Sequence, residues 1–334
     1  MTLTLLRNRL IGAFGMIALA LLAGGIGARL VPDMTALDAP ARILDSLAPW
    51  SLALALLVGV VLALLRARVL GVLTVVAALG GAGWILGDYL AVRQGFSKED
   101  PALKVLFFNA LGSNTANSAR IVDAVLAQLP DIAVIAESEA IAEDRARLEA
   151  VYPHTSVCAD AACDVMLFSR IAPVSLREER IGPLWNDRYL EASLDTPSGP
   201  LTLVAAHLSK PWFSGVSPSE HWTLIRRLRQ IEGPLVVVGD WNMALWSRPA
   251  MQILHRTNLK APPAPIPSWP AQLGKWGVPI DQVLVRDGAA LGSLHAFGED
   301  LGSNHRGMLA TVVVNPPAQT SSPASASVAA RRAP

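Results

Sequence analysis

Two hydrophobic patterns divide this chain. Before residue 95 the apolar positions continue with no polar face, over about Leu10 to Val31, Ala48 to Leu65 and Val69 to Val92. Each approaches the roughly 20 residues that an apolar helix needs to cross a bilayer, so three spans are predicted. After Pro101 the apolar runs become short and each meets a polar residue. K-V-L-F-F ends at Asn109, I-A-V-I-A at Glu137, L-T-L-V-A-A at His207 and L-V-V-V-G at Asp240, with Asn242 two further on. Asp281 opens P-I-D-Q-V-L-V, and Asn304-His305 precede M-L-A-T-V-V-V. Short runs rich in Val, Ile and Leu read as strands buried on both faces, and strands lying side by side bring their polar ends to one rim.

Between the runs the period changes to that of a helix. Ile121, Val122, Val125, Leu126 and Leu129 share one face behind a candidate cap, Asn117, and Pro130-Asp131 ends the segment. A strand-helix-strand unit from Lys104 to Glu137 follows. By contrast, Y-L-E-A-S-L and L-T-L-V-A-A are separated only by D-T-P-S-G-P, a hairpin turn. Mixing crossover and hairpin links predicts an α/β fold of two packed mixed sheets flanked by helices, a four-layer sandwich, preceded by the transmembrane bundle. The expected boundaries are 1–95 for the anchor, 101–315 for the sandwich and 316–334 for a Pro, Ala, Ser and Thr tail too polar to order itself.

The charges in the short loops orient the anchor. Arg7 and Arg9 precede the first run and Arg66 and Arg68 lie between the second and third, whereas Pro32 to Pro49 carries Asp33, Asp38 and Asp45 with only Arg42. Basic loops stay on the cytoplasmic side, so the expectation is an inner-membrane, multi-pass protein whose second domain is extracytoplasmic. A cleaved first run would still leave two spans. Gly80, Gly81, Gly83 and Gly87 are expected to let helices pack closely. Cys158 and Cys163 bracket A-D-A-A, and an even pair in an exported domain suggests a disulfide, with two inert thiols as the alternative.

At 334 residues the chain has room for about two domains, and 52% of it is apolar, most of the excess lying before residue 95. A net charge of only +1 excludes a strong general field for nucleic acid. Arg226, Arg227 and Arg229 read as a solvated helix face, with approach to a phosphate as the alternative. Tryptophans 212, 241, 246, 269 and 276 fall near the rim, where they can stack on a substrate, meet lipid or simply pack. The run A-P-P-A-P-I-P-S-W-P is a stiff loop expected to border the site.

Singly, the rim residues have ordinary explanations, such as Asp240 as a turn residue or His207 as a satisfied core histidine. As an ordered set, F-F-N, I-A-E-S, M-L-F-S-R, A-H-L, G-D-W-N, P-I-D-Q-V-L-V and S-N-H-R-G resemble the endonuclease/exonuclease/phosphatase superfamily, the deoxyribonuclease I-like fold, over roughly Lys104 to Val314. The resemblance implies a metal-dependent phosphoester hydrolase. It assigns Glu137, with Asn109, to Mg2+ or Mn2+, Asp240 and Asn242 to the attacking water and phosphate oxygens, Asp281 to pairing with His305, and His207 to the scissile phosphate or leaving group. Hard cations take oxygen ligands, and an Asp-His pair suits proton transfer.

One position departs from the pattern. Asn304 stands where the family usually has an aspartate near the metal, and a carboxamide is a neutral acceptor. A non-catalytic scaffold or sensor with a weakened metal site is therefore the alternative reading. The implied partners are the lipid bilayer and a phosphate ester, whether nucleic acid, phospholipid or small molecule. Nothing in the sequence points to a protein partner.

Overall fold

The computed structural model describes residues 3–101, 103–157 and 163–314. In the apolar third, α1 (Leu3–Leu22) passes through a wider π-helical stretch, Ala23–Gly27, into α2 (Ala28–Leu30), making one rod. After a turn come α3 (Asp38–Ser46), α4 (Ala48–Leu64) and α5 (Arg68–Val92). Leu3–Leu30 and Arg68–Val92 are long and apolar enough to cross a membrane, and α3 with α4, bent by 72°, makes a third if the pair is one span.

Two expectations are corrected here. The segment Pro32 to Pro49 is not a plain loop, because α3 occupies half of it. Its polar face, Asp38, Arg42 and Asp45, is buried, while Ile43 and Leu44 face outward. Close helix packing also falls on other glycines. A Cβ on Gly59 would lie 3.0 Å from Gly71 O, and one on Gly71 2.6 Å from Gly59 O, so α4 and α5 touch backbone to backbone there. Of the four expected glycines Gly81 meets Ile26, but Gly80, Gly83 and Gly87 meet nothing within 4 Å.

Period two sorts the short runs onto faces. One sheet has the order β10 (Ala289–Phe297), β11 (Gly307–Val314), β1 (Leu103–Asn109), β2 (Ile132–Ala136), β4 (Val165–Ser169), β3 (His154–Thr155). The other runs β5 (Pro173–Glu179), β6 (Tyr189–Thr196), β7 (Gly199–Ala206), β8 (Leu235–Asp240), β9 (Asp281–Arg286). Val105, Phe107 and Val134 meet Leu203, Val236, Val238 and Val283 between the sheets. The alternate residues Leu106, Phe108 and Ile135 pack under α6 (Ser118–Gln128) and α7 (Arg145–Glu149), and Val204 and Val237 under α8 (Val216–Leu228) and α9 (Arg248–Thr257). The four layers expected from the sequence are thus present.

The strand-helix-strand unit makes β1 and β2 parallel, and β6 and β7 form the expected hairpin. Asn117 precedes α6, but its side chain donates to Asn114 Oδ1 and does not cap the helix. Of the two cysteines, Cys158 lies outside the described residues, as does the segment after 314; Cys163 is buried.

The helices and the sandwich share packing and ion pairs. Val92, with Tyr89, joins the core beneath α8 and α9. Arg29, at the end of the first rod, pairs with Asp45 at 3.2 Å and Asp88 at 2.9 Å and donates to Trp246 O, while Asp45 accepts from Arg248 N.

Candidate active site

The rim is the polar end of the interface between the sheets. Asn109 follows Val105 and Phe107 on the inter-sheet row of β1, His207 follows Leu203 and Ala205, Asp240 follows Val236 and Val238, and Asp281 precedes Val283 and Val285. The same alternation that buries the core therefore aims these side chains at one another. Glu137 would point away in an extended chain. Its left-handed backbone (φ 51, ψ 50) turns it back, so that Oε2 accepts from Gly112 N at 2.7 Å and Oε1 from Asn109 Nδ2 at 3.1 Å.

Asp240 sits at the centre. Its Oδ2 accepts from Asn109 Nδ2 at 3.0 Å and lies 3.6 Å from His207 Nε2 and 3.8 Å from His305 Nε2. Its Oδ1 accepts from the N–H of Asn242, a residue in the left-handed region whose amide in turn donates to Leu208 O. Each histidine is backed by its own aspartate, since His305 Nδ1 is 2.9 Å from Asp281 Oδ2 and His207 Nδ1 is 3.1 Å from Asp164 Oδ2. Asn109 presents its amide nitrogen to the carboxylates, because its oxygen accepts from Leu111 N.

The electrostatics follow from this crowding. Burial penalises the His305 cation, but Asp281 and Asp240 outweigh it and raise the ring to about 9. For His207 the balance has the same sign, with Asp164 against burial. Burial, then Asp281, push Asp240 up. Glu137 ends below the ordinary glutamate value, because the Gly112 and Asn109 hydrogen bonds together with His207 overcome its burial.

All the predicted polar residues gather here: Asn109, Glu137, His207, Asp240, Asn242, Asp281, Asn304 and His305. The sequence reading missed Asp164, which also pairs with Arg188, and Glu220, which accepts from Ser209 N and Oγ at 2.6 Å and so fixes the turn after His207. Asp164 had a visible signal, because it stands immediately before an apolar run as Asp281 does. Of the tryptophans, Trp212 and Trp269 line the cleft, whereas Trp241 is core and Trp246 packs on Trp50 with centroids 5.5 Å apart. The proline-rich loop borders the cleft through Trp269, as expected. Arg227 is not simply solvated, since it stacks on Tyr189 and pairs with Glu179.

The model of the endonuclease/exonuclease/phosphatase family matches residues 106–305, a range that begins in β1 and ends on His305. The chain belongs to that family. An endonuclease/exonuclease/phosphatase from Beutenbergia cavernae DSM 12333 shares the fold at 20% identity and a TM-score of 0.50, over 65% of this chain and 72% of that one. The human Nocturnin catalytic domain with bound sulfate anion does so at 15% identity and 0.50, over 66% and 97%. These likenesses are of fold. Among curated proteins none matches the chain. In this family member the polar ends of the inter-sheet rows lie together around Asp240.

Proposed function

We propose that this chain is a membrane-anchored, divalent-metal-dependent phosphoester hydrolase, with residues 101–315 as its catalytic domain outside the cytoplasm. The observation that carries the reading is Asp240, a buried carboxylate faced by Nε2 of two histidines, each backed by an aspartate. Raised by its surroundings, Asp240 suits the role of base toward a water that Asn242 helps to place. His305, held cationic by Asp281, stabilises charge growing at phosphorus, and His207, held by Asp164, protonates the leaving oxygen. The P–O bond to water forms as the ester P–O bond breaks; the water's proton goes to Asp240 and the leaving alcohol takes one from His207.

The donor set fits a hard cation. Oδ1 of Asn304 is buried with no hydrogen-bond partner among the described residues, in the cleft that the Glu137 carboxylate also lines. Glu137 and Asn304, with Asn109 fixing Glu137, are the residues we assign to Mg2+ or Mn2+, which when bound would supply a Lewis acid that neutralises phosphoryl charge. The membrane reading rests on the apolar rods and on Arg7, Arg9, Arg66 and Arg68 gathering away from the acidic connector.

The test uses the full chain in detergent micelles with bis(p-nitrophenyl) phosphate. Turnover removed by chelator, restored by Mg2+ or Mn2+ and lost in Asp240→Asn supports the proposal. Turnover indifferent to metal, or none at all, rejects it.

A further inference from the structure

The cleft over Asp240 and His305 is not built from the sandwich alone. One of its walls comes from the connector between the first two apolar segments, as Ile43, Ser46 and Leu47 line the same cavity of about 340 Å3 as Glu137, Asp240 and His305. The same cavity is lined by Trp212, 57% exposed, and Trp269. Polar catalytic floor and apolar outer wall thus share one opening.

The helix that supplies this wall is built inside out for a helix on a water-soluble protein. Asp38, Arg42 and Asp45 are turned inward, to Ser214 Oγ, the Val31 carbonyl and the Arg29 guanidinium, while Ile43, Leu44 and the adjoining Leu47 face out. The 72° bend to α4 also lays α3 across the direction of the apolar helix that follows it. An apolar outer face on a helix crossing a spanning segment is the pattern of a helix resting in the bilayer surface. The neighbouring groove of about 430 Å3 between α4 and α5 is lined by Leu52, Leu56, Ile85 and Leu86 and closed toward the sandwich by Trp246 and Pro265.

We infer that the substrate is a phosphodiester lipid of the bilayer, its phosphate on the Asp240–His305 floor and its acyl chains against Ile43, Leu47 and Trp212. This rests on the hydrolase reading above and narrows it. Charge separates the lipid from nucleic acid. A nucleic-acid strand presents many phosphates and is held by several Lys and Arg side chains. Among the residues lining this cleft Lys210 is the sole Lys or Arg, which with the His305 imidazolium on the floor is enough for one phosphate.

The inference is tested with the full chain in mixed micelles of a total polar lipid extract, compared with the same extract deacylated by mild alkali, with a single-stranded DNA oligonucleotide, and with bis(p-nitrophenyl) phosphate as reference. Release of the phosphorus-bearing headgroup, followed by phosphorus NMR, is expected to be about tenfold or more faster from the acylated extract, because chain burial adds binding that the deacylated form lacks. Leu47→Gln and the more exposed Trp212→Gln are expected to lower the ratio of lipid to aryl-diester turnover by about fivefold or more, a ratio insensitive to partial misfolding. Equal rates for acylated and deacylated extracts, a faster oligonucleotide, or an unchanged ratio in both variants overturns the lipid assignment while aryl-diester turnover persists. Absence of aryl-diester turnover removes the hydrolase reading and this inference together.

Discussion

His305 and Asp281 are buried partners, Nδ1 to Oδ2 at 2.9 Å, and His305 shares Asp240 Oδ2, 3.8 Å from its Nε2, with the histidine of the His207–Asp164 pair at 3.6 Å. The partnership raises His305 to about 9, above the usual 6.5. A group raised on folding contributes stability that is complete below the unfolded value and is lost as pH rises through the folded one. In metal-free protein the ring-proton NMR signal absent from His305→Gln is therefore expected to titrate near pH 9, with thermal stability falling over about pH 6.5 to 9. A midpoint at or below 6.5 contradicts the pairing.

Removing any of three site groups is expected to abolish most turnover without unfolding the chain. Glu137→Gln, Asp240→Asn and His305→Ala should each lower metal-dependent hydrolysis of an aryl phosphodiester by about 10² to 10⁴. Glu137→Gln should also weaken Mg2+ or Mn2+ binding by isothermal titration. Losses under about tenfold in all three would leave the assignments without support.

Asn304→Asp tests the departure from the family pattern. An anion added beside a divalent site is expected to lower the metal concentration needed for half-maximal activity and to raise His305 further. Metal titration and the basic limb of the pH-rate profile measure the two effects separately. If neither moves, the carboxamide is structural; activity appearing only in the variant would favour the scaffold reading.

Gly239 is the point of closest backbone approach beside the site. With φ near 152°, a Cβ there would stand 1.9 Å from Ala206 O, on the neighbouring strand that delivers His207. Gly239→Ala is expected to lower the thermal midpoint by about 4 to 8 °C or more, the equivalent of about 2 kcal/mol, and to reduce activity with it. Gly274→Ala, where φ is positive but nothing lies within 4 Å, should cost less, the backbone strain alone without a clash. Equal effects of the two would show that the strand contact is unimportant.

For the membrane reading, a reporter active only outside the cytoplasm is expected to work when fused after Gln94 and to fail when fused at Arg68. The reverse pattern would invert the orientation.

The rim could be read from the sequence because period two does two jobs at once, packing Val236 and Val238 between the sheets and sending Asp240 to the same face. Asp164 obeyed that rule as Asp281 did and was still passed over, since nothing in its own run names the group it faces, His207, 43 residues further along the chain. Arg188 lies beside an irregular connection whose pairing depends on the sheets having closed. The helix α3 escaped because its charged face is the buried one: patterning rules treat charge as exposure, and Arg29, Asp45 and Arg248 reverse that. Likewise the glycines of α5 were legible as small residues, but which of them meets another helix depends on rotation about the axis.

The Arg29–Asp45–Arg248 knot has a mechanical consequence. A domain on a flexible leash sweeps a volume and samples whatever diffuses through it. Here the cleft is bolted to the rods at one height and one tilt, so with the rods in a bilayer it inspects a thin layer parallel to the surface. Encounter would then be governed by lateral density in two dimensions, and dilution of the surrounding solution would leave the rate unchanged.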